Sequence, residues 1–169
     1  MDTRKIQYQL FITVVFGLLA YITRALNLIT PLGGVFVLDL RDFFVAIGAA
    51  IGGPVPGFVI GVAAGLPAKI PAIDIAAFSI AGLTVGIFST YFYRKGINVA
   101  FSAAFMLVGY GVALIMVHYY NLWQFSTGLI ARAIICTPIN IFILHYLLIA
   151  SPKILAVARY DGEEKEAEK

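Results

Sequence analysis

From Gln7 to Ala150 the chain is a train of apolar stretches, at about 7–26, 35–52, 56–68, 72–93, 97–119 and 123–150, separated by a few polar residues each. Runs near 20 residues match the length of a helix crossing a bilayer, and 169 residues hold roughly five or six such helices with short loops and no separate soluble domain. Only 12% of residues are charged against 61% apolar, half the charge usual in a soluble domain of about 25%. The reading is an all-α integral membrane protein, a multi-pass protein of the cell (cytoplasmic) membrane. Residues 1–155 form one transmembrane substrate-binding domain, and 156–169 form a charged tail ending in "DGEEKEAEK".

The second and third stretches are divided by "GGPVPG" at 52–57. Each proline removes a helix donor and biases the preceding residue away from helical geometry, so the segment reads as a break between two short helices. Six crossings with both termini cytoplasmic place Arg4, Lys5, Arg94, Lys95, Lys153 and Arg159 inside and Arg24, Arg41 and Lys69 outside. Five crossings with the N-terminus outside score the same six to three, so the break, not the charge count, selects the six-transmembrane-helix bundle.

In that topology the polar residues gather at the outer face. Arg24 and Asn27 close the first helix, Asp39, Arg41 and Asp42 lie at the outer end of the second, and Lys69 and Asp74 flank the loop between the third and fourth. Tyr119 and Trp123 fall in the outer connection between the last two helices. Rings to stack on a solute, with a few fixed donors and acceptors to orient it, make these candidate substrate contacts. Against this stands interfacial anchoring, the ordinary role of tyrosine, tryptophan and arginine at a membrane surface.

Arg132 lies about nine residues into the last stretch, near ~14 Å deep at 1.5 Å per residue, which puts it near mid-membrane. An arginine there costs about 2.5 to 3.5 kcal/mol on insertion scales and needs an inward partner or a ligand; Asp42 and Asp74 are the candidate partners. Asn140, two residues after Pro138, is a further candidate contact or a partner for backbone groups that the proline frees. Glycines at 48, 52, 53, 57, 61 and 65 recur mostly at four-residue steps and permit close helix packing, while Thr13, Gly17 and Ala20 form a flat strip suited to docking another membrane protein.

Several functions have no visible machinery. The basic residues are scattered, which argues against nucleic acid as a partner. Cys136 is the single cysteine and His118 has no metal-ligand spacing, so neither a disulfide nor a metal site is expected. No phosphate loop or nucleophile elbow occurs, and the chain reads as no enzyme, with no cofactor.

"LDLRD" at 38–42, "AAIGGPVPGFVIGVAAG" at 49–65 and "TPINIFILHYLL" at 137–148 resemble the substrate-binding S components of energy-coupling factor vitamin transporters, most nearly the riboflavin type. The corresponding residues are Asp39 and Asp42, Gly53 with Pro54 and Gly57, and Pro138 with Asn140. The resemblance implies a six-helix module that captures a vitamin, riboflavin first among candidates, from outside. It also implies docking on a membrane coupling subunit driven by two cytosolic ATPase subunits. The rival readings are a five-helix small-ligand sensor of the kind attached to histidine kinases, which shares a "GGP" segment, and a structural membrane subunit.

Overall fold

A computed structural model of the chain describes residues 3–33 and 36–151. Six α-helices run in the order α1 (Thr3–Ala25), α2 (Leu40–Gly52), α3 (Pro54–Gly65), α4 (Pro71–Arg94), α5 (Met106–Tyr119) and α6 (Ser126–Ala150). Short 3-10 turns at Val99–Phe105 and Trp123–Phe125 precede α5 and α6. Four segments, Lys5–Ala25, Pro71–Arg94, Val99–Tyr119 and Trp123–Ala150, are long and apolar enough to cross a membrane, and they mark the chain as a membrane protein. Lys153, Arg159 and the 156–169 tail lie outside the described residues.

The chain is all-α in class, with one short exception among the described residues. Between α1 and α2 a two-stranded antiparallel hairpin, β1 (Ile29–Gly33) and β2 (Phe36–Asp39), pairs Ile29 with Asp39 and Thr30 with Leu38. The second apolar stretch therefore enters as strand, and its helix starts at Leu40 rather than near 35. Asp39 ends β2 and caps α2, its carboxylate accepting from the Arg41 backbone N–H at 3.0 Å, so one side chain fixes the change from strand to helix.

The break at 52–57 reverses the chain. Gly53 adopts φ +93°, a conformation that side chains resist, and Pro54 opens α3 where a missing N–H costs nothing. α2 and α3 return side by side, each roughly 18–20 Å long at 1.5 Å per residue, against a hydrocarbon core of ~30 Å. Their turn meets Gly86 of α4 and, through the Gln9 side chain donating to the Gly52 carbonyl at 3.2 Å, α1. Eight residues of α4 and six of α1 continue beyond that level toward Arg94 and Thr3.

Glycine decides how close α3 approaches α4. A Cβ placed on Gly57 would overlap the Gly82 carbonyl, one on Gly61 the Phe78 carbonyl, and one on Gly65 the backbone at Ile75. This is backbone-on-backbone packing of small residues, which builds affinity between helices in lipid from van der Waals contact. Of the Thr13, Gly17 and Ala20 strip, Gly17 and Ala20 are buried, with Ala63 of α3 beside Gly17, so these two positions face inward, while Thr13 is half-buried and its hydroxyl donates to the Gln9 carbonyl of its own helix.

We predict that Gly61→Val lowers stability by about 1–3 kcal/mol through overpacking, because backbone stands where the new side chain must go. Gly111→Ala, whose Cβ meets nothing within 4 Å, leaves stability unchanged or raises it. Unfolding midpoints of the purified variants in one detergent compare the two.

Candidate functional site

α1 ends, α2 begins, α3 ends, α4 begins and α6 begins at the same end of the bundle, and there the charged residues of distant segments meet. Arg41 is 2% exposed and spends its whole guanidinium inside the protein. Its Nε and Nη2 donate to the Asp39 carboxylate at 3.0 and 2.7 Å, and its Nη1 donates to the Ala64 carbonyl at 2.9 Å and to Asp74 Oδ2 at 2.8 Å. One side chain thus ties the starts of α2 and α4 to the end of α3.

Arg132 completes a second fork. Its Nε and Nη2 donate to the two oxygens of Asp42 at 2.8 and 2.7 Å, a bidentate geometry suited to the planar guanidinium, and its Nη1 lies 3.0 Å from Asp39 Oδ2. The Tyr110 hydroxyl of α5 donates to Asp42 Oδ2 at 2.7 Å. Both guanidinium carbons sit over the Phe78 ring, at 4.6 Å for Arg41 and 5.2 Å for Arg132, adding cation–π attraction in a desolvated setting. Asp39 lies in β2, outside the membrane-spanning helices. Burial pushes its carboxyl up, but the Arg132 and Arg41 guanidiniums outweigh burial and bring it down from 3.8 to about 2. A carboxyl held below its unfolded value contributes stability above pH ~4, and that contribution is lost as pH falls through about 2.

A cavity of about 280 Å3 opens beside this network. Its polar lining is Arg24, Asp39, Arg41, Lys69, Asp74 and Arg132, and Ile70, Ile73, Val117, Phe125, Gly128 and Leu129 supply the rest. Asp74 and Arg132, 29% and 14% exposed, are the most exposed members of the network. A nook of about 20 Å3, room for about one water, adjoins Asp42, Asp74, Tyr110 and Arg132.

The chain matches no protein-family model, no curated protein and no solved structure.

Of the residues singled out from sequence, Arg24, Asp39, Arg41, Lys69, Asp74 and Arg132 come together at the cavity, with Asp42 directly behind Arg132. Four others do not join them. Asn27 occupies a turn after α1 with φ +54°, its amide oxygen 3.4 Å from Arg24. Tyr119 and Trp123 are 78% and 56% exposed, pack edge-on against Tyr120 and His118, and do not line the cavity. Asn140 is buried on α6 with neither amide atom hydrogen-bonded, and it lines no part of the cavity. Arg132 stands six residues into α6, about 9 Å from its start and level with the first turn of α2. Lys69 and Asp74 do not pair; Asp74 is taken by Arg41.

Sequence reasoning missed Phe78 and Tyr110. Both sit in uninterrupted apolar runs, and the one available signal was tyrosine itself, whose hydroxyl needs a partner when buried.

We predict that Arg132→Ala destabilises the protein by about 3–5 kcal/mol, since it leaves Asp42 buried opposite no charge. Trp123→Ala and Tyr119→Ala change stability by no more than about 0.5 kcal/mol. Unfolding midpoints measured side by side check the contrast.

Proposed function

We propose that the chain captures a small solute from the outer face of the cell membrane as the substrate-binding subunit of an energy-coupling factor ABC-type importer. The observation that carries this reading is the cavity, where charged side chains of α1, α2, α4 and α6 converge at one end of the bundle. A purely structural ion network has no use for an adjoining hollow that is partly apolar and open. Among the described residues Lys5, Arg94 and Lys95 lie at the end opposite the cavity and Arg24, Arg41, Lys69 and Arg132 at the cavity end, so the outward-facing cavity comes with the six-helix reading and not from charge counting.

In this reading α2 and α3 descend and return together among the longer helices, so the bundle has six helices and both termini on the cytoplasmic side. The solute is a vitamin or related small molecule, and the partners are a membrane coupling subunit and two cytosolic ATPase subunits. A broader groove of about 490 Å3 between α5 and α6 is a poorer candidate. Its walls are mainly Leu107, Leu114, Ile130 and Ile134, with Tyr110 and Thr137 the polar members and no charged group to orient a polar guest.

Mass spectrometry of the purified protein, followed by titration of riboflavin, thiamine and biotin, tests the proposal. Saturable binding is expected for one of these or for a co-purifying compound. Leu129→Trp, which fills the cavity, is expected to lower that affinity at least about tenfold while the protein stays folded. Absence of saturable binding to every compound overturns it.

A further inference from the structure

Among the charges around the cavity, Arg41 and Arg132 are spent on Asp39, Asp42 and Asp74. Arg24 and Lys69 are not. Among the described residues neither forms an ion pair, and Arg24 has only the amide oxygen of Asn27 at 3.4 Å. Lys69 is exposed and Arg24 half-buried, yet both line the hollow. The cavity lining carries four cations, Arg24, Arg41, Lys69 and Arg132, against two carboxylates, Asp39 and Asp74, and the two cations left over are Arg24 and Lys69. Beside them Ile70, Ile73, Val117, Phe125 and Leu129 form an apolar wall.

From this we infer that the solute is a small amphipathic anion, its carboxylate or phosphate held by Lys69 and Arg24 and its apolar body laid on Ile73, Val117 and Leu129. The inference rests on the cavity being a solute site and sharpens that reading. An anion gains from both free cations without breaking the buried network, because Arg41 and Arg132 keep their own carboxylates. An uncharged flavin leaves Arg24 and Lys69 unused, and a cavity of about 280 Å3 falls just below the ~300–1,000 Å3 typical of ligand pockets. The same two cations would also suit an anionic lipid headgroup at the membrane surface. Their place in the wall of a hollow with an apolar flank favours a soluble guest.

Matched acids and amides separate these cases: biotin against biotinamide, and nicotinate against nicotinamide, titrated into the purified protein in neutral-lipid nanodiscs. The expected result is that at least one acid binds about tenfold more tightly than its amide. Lys69→Gln and Arg24→Gln, both outside the buried network, each weaken that acid about threefold and leave the amide unchanged. Equal affinity for acid and amide, or acid binding untouched in the double variant, overturns the anion inference and leaves the solute site standing. No binding by any of the four compounds overturns the anion inference if riboflavin or thiamine binds, and overturns both readings if neither does and no solute co-purifies. Stabilisation by phosphatidylglycerol nanodiscs alone, with no acid bound, assigns the two cations to lipid and also overturns the inference.

Discussion

Two carboxylates and two guanidiniums drawn almost wholly out of water, with Asp74 at their edge, set the terms for the rest of this structure. Taking such ions out of solvent costs several kcal/mol each, and only close, well-directed pairing offsets it. The pairing here is close: Asp39 and Asp42 each face a guanidinium fork, and Asp74 takes the remaining Arg41 nitrogen. Because the partners come from β2, α2, α4, α5 and α6, satisfying the charges fixes how those elements stand relative to one another. A bundle of apolar helices in lipid otherwise has many near-equivalent ways to rotate. The network leaves one.

That network depends in turn on glycine. Arg41 reaches the Ala64 carbonyl and Asp74 at once only because α3 ends against the start of α4. The contact is made by Gly65 on the Ile75 backbone, the last of the steps that begin with Gly57 on Gly82. Removal of side-chain bulk along α3 therefore acts at a distance, setting the separation across which a guanidinium bridges. The Gly53 reversal has a comparable role, since it returns α3 to the level where α2 starts.

Much of this could be read from the residues. Gly-Pro chemistry at 52–57 marks the break whatever surrounds it, because the constraint is local to the backbone. The glycine steps show a close face, and the aspartates and arginines in greasy sequence show that partners must exist. Which partners exist depends on the rotation of each helix about its axis, and a sequence of nearly uniform apolarity does not encode that phase. Phe78 and Tyr110 stayed invisible for this reason, and Arg132 found Asp42 and Asp39 while Asp74 went to Arg41. The hairpin at 29–39 escaped because a short strand and a helix start look alike in an apolar run. Gly17 and Ala20 showed a flat face, but flatness serves an internal neighbour as well as an external one.

A double-mutant cycle on Asp42 and Arg132 tests the central claim most directly. Asp42→Asn, Arg132→Met and the pair are unfolded in the same detergent at neutral pH. If the fork seen here holds the helices together, the double variant is more stable than the sum of the single losses allows, with a coupling energy of about 1.5–3 kcal/mol. Additive losses, within about 0.5 kcal/mol, would show that the two residues do not meet and would contradict the account.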